Sequence, residues 1–315
     1  MRRVYLDLPA PLPEPALLRK LLRILKGMSL ALPTYVMAAR HRTPGLDAHR
    51  RIVALALRLL LRLRSPLRLS WRLYLLLYPM DSTRYFEFDF ALRVLAGGMS
   101  GRYLDVSSPR LLPILLMSQQ SALQAELINP DASDLKLTED LVKAARLGIR
   151  CDLRACTVET APFQPESFDV ITSISVIEHI EDDRAALRSI WRLLKPGGRL
   201  VLTMPCAAQA AAQYSNVNHY GLVRPDESGA YFVEYLYDEA MLRERIFSVT
   251  GEPAQMMIFG EKTPGFLMRH LLRRERDYDY PYWREPLTMG QEFRPYRDLA
   301  SLPGEGVVGL VFQKA

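Results

Sequence analysis

Cysteine is scarce in this sequence, and its placement excludes several kinds of site. Only Cys151, Cys156 and Cys206 occur among 315 residues, an odd number with none of the spacings that zinc ligands show. A disulfide framework, which marks small secreted proteins, is therefore not expected, and neither is a metal site. Unpaired cysteines suit a reducing compartment, so the expected location is the cytoplasm.

The richest leucine segment lacks the uninterrupted apolar length of a membrane span. The most leucine-rich stretch, 48–78, contains too many arginines for a membrane span, which needs roughly 20 mostly apolar residues. Prolines at positions 9, 11, 13 and 15 interrupt the apolar N-terminus and argue against a secretory signal peptide. With 49% hydrophobic and 24% charged residues, the composition is that of a soluble globular protein.

Acidic residues are few in the first 80 positions. There, 15 arginines and lysines face only three acids, a net charge of +12, and because the whole chain carries +6 the remainder carries −6. Such an asymmetry predicts either an anionic partner for the basic segment or docking of the two parts on each other.

Two interpretations of this basic segment stay open. Residues 16–30 predict a short amphipathic helix, and Pro66 should divide 48–78 into two helices. These helices either pack on the rest of the protein, which we favour, or lie on anionic lipid with aromatic side chains at headgroup depth. Both hold if the substrate is a lipid. The second predicts peripheral contact of residues 16–78 with the inner membrane face, through Trp71, Tyr74 and Tyr78.

The stretch 163–204 predicts three elements in succession. Phe168–Ser175 is an apolar, β-branched run typical of a strand buried on both faces. Residues 182–194 carry apolar side chains at helical spacing, and Lys195-Pro-Gly-Gly198 ends that helix. Leu200–Met204 follows as the next buried strand. A strand, helix and strand of this length form a right-handed parallel crossover, the unit of a doubly wound α/β sheet.

The same stretch carries a family resemblance. SFDVITSISVIEHIEDDRAALRSIWRLLKPGGRLVLTMP resembles the second half of a class I S-adenosyl-L-methionine (SAM)-dependent methyltransferase core, through its FDV strand, its VIEHI turn and its LKPGGRL segment. The resemblance implies an α/β fold with a seven-stranded, mostly parallel, doubly wound sheet. It divides the chain into a basic helical extension, 1–80, and a methyltransferase domain, 81–315. Substrate-side insertions are expected near 206–236 and 261–303.

Cofactor contacts are expected where strands end, because ligands of open parallel sheets bind beyond the carboxyl ends of the strands. After the first strand the sequence keeps the family's acid, Asp105, but has Ser107 and Ser108 where glycines are common. Without a G-x-G-x-x-G pattern, a dinucleotide is disfavoured. After the second strand, Asp131 aligns best with the ribose-binding acid and Asn129 is the alternative, although either also suits a plain turn.

The third and fourth strand ends complete the predicted cofactor site. The family's adenine-binding acid is replaced by Thr157, so Thr157 or Glu159 would accept from the adenine amino group while Val158 packs on the ring. Ser175 and Glu178, at the end of the fourth strand and just beyond it, are the remaining predicted cofactor contacts.

Methyl transfer requires an aligned acceptor and, for a hydroxyl acceptor, a base. His179 is the first candidate, because free histidine has a pKa of about 6.5; alternatively the EHI turn only hydrogen-bonds the loop. His219 and Tyr220, in a polar insertion after the fifth strand, are the second candidates. The aromatic run 277–284 suits a sugar, an aromatic ring or a lid; alternatively it is a face that binds the N-terminal arm.

The sequence thus predicts a SAM-dependent methyltransferase acting on a small-molecule, glycan or lipid-linked acceptor, at oxygen. One rival methylates protein or nucleic acid, although no nucleic-acid-binding motif is present and no nucleic-acid partner is expected. The other rival is a degenerate methyltransferase fold that has lost SAM and serves as a scaffold, whose basic arm binds a membrane or a partner.

Overall fold

The computed structural model describes residues 1–8, 15–62, 65–98, 100–218, 221 and 223–315. Its centre is one eight-stranded sheet with the strand order β10-β9-β11-β6-β5-β2-β3-β4. The strands are β2 (Gly101–Val106), β3 (Leu123–Ile128), β4 (Cys151–Arg154), β5 (Phe168–Ile174), β6 (Leu194–Ala207), β9 (Gln255–Glu261), β10 (Phe293–Pro295) and β11 (Glu305–Gln313). The predicted mostly parallel α/β sheet is confirmed, but it has eight strands and not seven.

Five neighbouring strands, β4, β3, β2, β5 and β6, run parallel. They are connected by α5 (Leu111–Gln119), α6 (Ala132–Ala145) and α7 (Asp183–Leu193). At the end of the chain, β11 lies antiparallel to both β6 and β9. The eighth strand, β10, pairs three residues with β9 and ends in Pro295, too short for a period-two pattern to predict it.

A second, three-stranded sheet has the order β1-β7-β8. Here β1 (Arg2–Leu6) lies parallel to β7 (Ala211–Ser215), and β7 is antiparallel to β8 (Tyr231–Leu236). The N-terminal residues therefore complete a sheet whose other strands belong to the insertion after β6. This contact joins distant parts of the sequence, which is why local patterns did not indicate it.

The N-terminal helices are α1 (Leu17–Arg40), α2 (Leu46–Leu60), α3 (Leu69–Leu77) and α4 (Arg84–Val94). The first helix was predicted as a short one over 16–30, which is wrong, because α1 continues through Gly27 and Pro33 to Arg40. Buried side chains of α2, among them Ile52, Leu55 and Leu59, share one apolar cluster with buried residues of the sheet and of α5. Helices α2 and α3 thus pack on the rest of the protein, as the favoured interpretation held.

The remaining helices follow the fifth parallel strand. After β8, α8 (Glu239–Met241) continues through a π-helix at Leu242–Phe247 into α9 (Ser248–Thr250). Between β9 and β10 come α10 (Phe266–Arg276), a 3₁₀ turn at Tyr282–Arg284 and α11 (Glu285–Glu292). The 3₁₀ turn and α11 form the support on which α1 rests.

Candidate active site

A cavity of about 950 Å³ opens at the carboxyl ends of the parallel strands. Its floor is made by the loops after β2, β3 and β5 and by the segment 157–159, and its opposite wall by α3 and the start of α4. This is the edge at which an open parallel sheet binds ligands. Ligand sites range from roughly 300 to 1,000 Å³, so the cavity has room for two molecules, a cofactor and an acceptor.

The loop after β2 is held in shape by its serines. Ser107 has a left-handed backbone, φ 55°, which is uncommon without glycine. Its N–H and its hydroxyl both donate to Ile128 O, at 2.9 and 3.1 Å. The Ser108 hydroxyl accepts from the N–H of Ile174 at 3.0 Å. Both serines line the cavity, and side-chain hydrogen bonds fix the turn that glycines would otherwise allow.

Asp105 lies behind this loop and is not among the lining residues of the cavity. Its carboxylate is buried and accepts from Ser108 N–H at 3.0 Å, from the Thr172 hydroxyl at 2.6 Å and from the Tyr103 hydroxyl at 3.0 Å. Burial raises the pKa of Asp105, and these three donors act in the opposite direction. In this structure Asp105 fixes the loop; direct contact with a cofactor stays a prediction.

Asn129 and Asp131 both line the cavity at the end of β3. Asp131 caps α6, because its Oδ1 accepts from the N–H groups of Ser133 and Asp134 at 2.8 and 3.2 Å. These donors, led by the Ser133 side chain, lower the pKa of the Asp131 carboxyl group. Asn129 accepts from Asp131 N–H at 2.9 Å and donates to Asp134 at 3.0 Å. The two residues therefore form a polar turn that also lines the cavity.

The segment Thr157-Val158-Glu159 lines the cavity as a group. Val158 is buried, whereas Thr157 and Glu159 are exposed. The Thr157 hydroxyl lies 3.2 Å from that of Thr160. An apolar side chain flanked by two acceptors is the arrangement that the predicted adenine site needs.

His179 also lines the cavity, in the 3₁₀ turn Ile177–His179 after β5. Its Nδ1 lies 2.7 Å from the carbonyl oxygen of Val233, on β8. A carbonyl accepts only, so Nδ1 carries the proton and the lone pair of the neutral ring is on Nε2. The insertion after β6 thus orients this side chain, a tertiary contact that the sequence did not reveal.

Ser175 lines the cavity beside His179, but Glu178 does not. The Ser175 hydroxyl donates to Glu87 on α4 at 2.5 Å. Glu178 is buried, and its Oε2 has no hydrogen-bond partner among the described residues. Burial, and next the nearby Glu234 carboxylate, raise the pKa of Glu178 well above its ordinary value.

The side chains of Glu178, His179 and Glu234 form a compact cluster. Potential metal-ligand atoms of the three lie within 4.8 Å of one another, a grouping that cysteine spacing could not indicate. Burial raises the pKa of Glu234 to about 8, with Glu305 as the next cause. The Glu234 carboxyl group therefore favours the protonated form at neutral pH.

Several lining residues were missed by the search for strand ends. Trp71, Tyr74 and Tyr78 come from α3 and its end, and Arg84 from the start of α4. Arg84 is held by an ion pair with the buried Glu87. The aromatic spacing of α3 is visible in the sequence, but it does not indicate which surface these side chains cover.

His219 and Tyr220, the second pair of base candidates, lie outside the described residues. Their neighbours Val223 and Arg224 line the cavity. The aromatic run 277–284 is in part buried support for α1, through Tyr282 and Trp283. A role for this run in binding an acceptor stays a prediction.

A family model described as a methyltransferase domain matches residues 105–202, from the end of β2 into β6. This part of the chain is a class I SAM-dependent methyltransferase domain. The predicted family, reaction class and SAM cofactor are confirmed for the domain.

Comparison with known proteins gives partial relatives of this methyltransferase domain. The ubiquinone biosynthesis O-methyltransferase of Ruegeria pomeroyi is 33% identical over 129 residues, which cover 38% of this chain and 52% of that protein. That of Xanthomonas euvesicatoria is 36% identical over 111 residues, covering 32% and 44%. The chain thus spans about half the length of these relatives. The crystal structure of MccD protein shares the fold, with a TM-score of 0.50 and 13% identity over 73% of this chain and 96% of that one.

The cavity of the methyltransferase domain fits SAM in its hydrogen-bond acceptors and in its size. Acceptors for ribose hydroxyls are available at Asp131 and Asn129, and acceptors for the adenine amino group at Thr157 and Glu159. Val158 provides the apolar surface for the ring. The turn at Ser107 lines the same cavity, where the methionine part would lie.

Proposed function

We propose that this protein transfers a methyl group from SAM to a hydroxyl oxygen of a small acceptor with a largely apolar body. The observation that carries the proposal is the position of His179, at the cavity with its Nδ1 held by Val233 O. Transfer to oxygen is also supported by the curated relatives, which are named O-methyltransferases.

Residues on the two sides of the cavity have different roles, cofactor binding on one side and acceptor activation on the other. On the sheet side, Asp131 would accept from the ribose hydroxyls and Val158 would pack on the adenine ring. The loop at Ser107 would hold the methionine part. When bound there, SAM supplies a methyl group activated by its sulfonium. No lining residue need act on the cofactor chemically, so alignment and exclusion of water are the main tasks of the protein.

On the acceptor side, His179 takes the hydroxyl proton. Because Nδ1–H is donated to Val233 O, Nε2 is the nitrogen that would accept this proton. General-base catalysis contributes typically 10²–10⁴-fold, and requires the base within hydrogen-bond reach of the proton. The insertion after β6 thereby acts through β8, which fixes the ring orientation.

The wall of the cavity formed by α3 and the start of α4 is called the acceptor wall. It favours a lipid-linked or aromatic substrate over a free glycan. Trp71 and Tyr74 meet edge to face with ring centroids 5.5 Å apart, and Tyr74 and Tyr78 at 5.3 Å. Met80 and Phe88 extend the same apolar wall. Burying an apolar body against such a surface is favourable, whereas a bare sugar would leave its hydroxyls facing carbon.

The test combines binding and turnover. Calorimetry with SAM and S-adenosylhomocysteine should show binding by the wild-type protein, and radiolabelled SAM should transfer label to a lipid-soluble component of cell extract. His179→Gln should lower kcat at least about 100-fold with unchanged SAM affinity. His41→Gln, at an exposed histidine outside the cavity, is the matched control.

Three outcomes would count against the proposal. Absence of SAM binding at millimolar ligand would favour the scaffold alternative. Turnover unaffected by His179→Gln would remove the base. Label found only in protein or nucleic acid would move the acceptor to another class.

A further inference from the structure

Helix α1 exposes an apolar stripe along its whole length. Leu18, Leu25 and Leu32, seven residues apart, are 69%, 63% and 70% exposed. A helical repeat of seven residues returns to the same face, so these side chains form one row. The exposed large apolar residues of α1 are Leu17, Leu18, Leu21, Leu22, Leu25, Met28, Leu30, Leu32, Val36 and Met37.

Another face of α1 is attached to the protein, so the stripe is presented outward in a fixed orientation. Thr34 donates its hydroxyl to the carbonyl oxygen of Trp283 at 2.8 Å. Gly27 packs against the same indole, where a Cβ would lie 3.3 Å from Cε3. The Arg23 guanidinium lies 4.1 Å from the Tyr282 ring centroid, and Arg19 pairs with Asp279 at 2.6 Å.

An exposed apolar surface of this size is uncommon on soluble monomers and indicates a contact with another apolar surface. The net charge of residues 1–80 distinguishes two candidate partners, a second copy of the chain and an anionic bilayer. Because residues 1–80 carry a net charge of +12, two copies meeting through this segment would repel each other. An anionic bilayer offers both complementary charge and an apolar interior. Charge and exposure together favour lipid.

The orientation of α1 on the bilayer follows from its contacts. Among the described residues, this one helix is long and apolar enough to cross a membrane, judged by length and composition. Crossing would separate Thr34 from Trp283 and Arg19 from Asp279. It would also place four cations within the first ten residues of the helix, near or inside the hydrocarbon, where charges are costly. A helix with one apolar face and one attached face instead suits the plane of the interface.

Helix α1 lies close to the wall of the cavity. Helix α1 packs against α3, and Tyr282, beneath Arg23, meets Tyr78 with ring centroids 4.4 Å apart. Tyr78 and Tyr74 both line the cavity, and Tyr74 is 48% exposed. Leu61 and Leu69, in the connection before α3 and at its start, are also strongly exposed. Exposed apolar side chains therefore occur both on α1 and at the start of α3, the helix that forms this wall.

We propose that the exposed stripe of α1 docks on an anionic lipid bilayer, in the plane of the interface, and that the acceptor reaches the cavity from the bilayer along α3. The docking proposal depends only on the exposed stripe of α1 and on the net charge of residues 1–80. Delivery of the acceptor rests in addition on the proposed function.

The test is flotation of the full chain with phosphatidylglycerol–phosphatidylcholine vesicles and with phosphatidylcholine vesicles. The wild-type protein should float with the anionic vesicles, and less at high salt. The triple variant Leu18→Gln, Leu25→Gln, Leu32→Gln should lower the partition coefficient at least tenfold. The control, Ile149→Gln with Met256→Gln, changes exposed apolar residues outside the first 80 and should float like the wild type. Circular dichroism and SAM affinity measured without vesicles check that both variants are folded.

Each contrary result has a defined meaning. A wild-type protein that stays with the unbound fraction, or a triple variant that floats equally well, would overturn docking. A dimer by light scattering that the triple variant converts to a monomer, without flotation, would assign the stripe to a second copy. Retention after alkaline carbonate extraction would overturn the in-plane orientation. Because SAM binding is measured separately, failure of docking and failure of the proposed function are distinguishable.

Discussion

Glu234 provides a direct test of the buried acid cluster behind the cavity. Its side chain is 24% exposed and lies 4.0 Å from His179 Nδ1. Burial is the main cause that raises the pKa of its carboxyl group to about 8, the Glu305 carboxylate adds to it, and Arg84 acts in the opposite direction. Glu234→Gln replaces the protonated acid with a neutral group of the same shape.

The sign of the effect follows from proton linkage. Between the ordinary glutamate pKa of 4.5 and about 8, the folded protein keeps a proton that the unfolded chain has released. The wild-type protein is therefore progressively destabilised as pH rises through this window. At about 1.4 kcal/mol per pH unit the full effect is about 5 kcal/mol. Because Glu234 is partly exposed and is coupled to Glu305, we expect a gain of roughly 2–4 kcal/mol for Glu234→Gln at pH 9 and almost none at pH 4.5.

The measurement is urea unfolding of the wild type and the variant at pH 4.5, 7 and 9. Glu227→Gln, at an exposed glutamate of the same insertion, is the matched control and should change stability by less than about 0.5 kcal/mol at every pH. If Glu234→Gln changed stability equally at pH 4.5 and 9, the carboxyl group would not be titrating as argued. A loss of stability at pH 9 would show that a charged carboxylate is needed there.

Two further changes test the polar framework of the cofactor site. Asp131→Ala should lower the free energy of unfolding by about 1 kcal/mol through loss of the α6 cap and should also weaken SAM binding in calorimetry. Asp238→Ala removes a helix cap outside the cavity and should affect stability alone; equal SAM affinities of the two variants would contradict the ribose role. Tyr103→Phe removes a donor from the buried Asp105 and from the Thr172 network, and should cost about 1–3 kcal/mol in urea unfolding. A variant as stable as the wild type would show that the remaining donors suffice.

The centre of the fold was predictable because its signals are local. The predicted strand Phe168–Ser175 and the observed β5, Phe168–Ile174, differ by one residue. The predicted helix over 182–194 and the observed α7 differ by one residue at each end. In this region the spacing of apolar residues, the helix cap and the placement of the glycines all indicate the same elements. Agreement among such local signals is what specifies a structure.

Errors arose where the deciding interaction is tertiary. Helix α1 continues past Gly27 because the missing side chain lets the Trp283 indole approach, a contact between distant parts of the sequence. β1 is fixed by pairing with β7 across some 200 residues, and no local pattern reports such a pairing.

The cofactor half of the site was easier to predict than the acceptor half. Strand ends converge by topology, so Ser107, Asn129, Asp131 and Thr157 do line one cavity. The acceptor wall comes from α3 and α4, whose contact with the cavity depends on how the N-terminal helices pack. Residues of a wall built from a separate segment show only their amphipathic spacing, which is equally typical of core and of surface.

The departures from the family's glycine pattern have a structural compensation in the loop after β2. Without glycine, the backbone turn at Ser107 requires a left-handed conformation that a side chain disfavours. Two hydrogen bonds from Ser107 to Ile128 O, and one from Ile174 N–H to Ser108, offset this strain by tying the loop to the neighbouring strands β3 and β5. A loop that no longer bound a cofactor would not need to keep a strained turn or the hydrogen bonds that offset its strain. The preserved turn therefore argues for a retained cofactor site and against a degenerate scaffold.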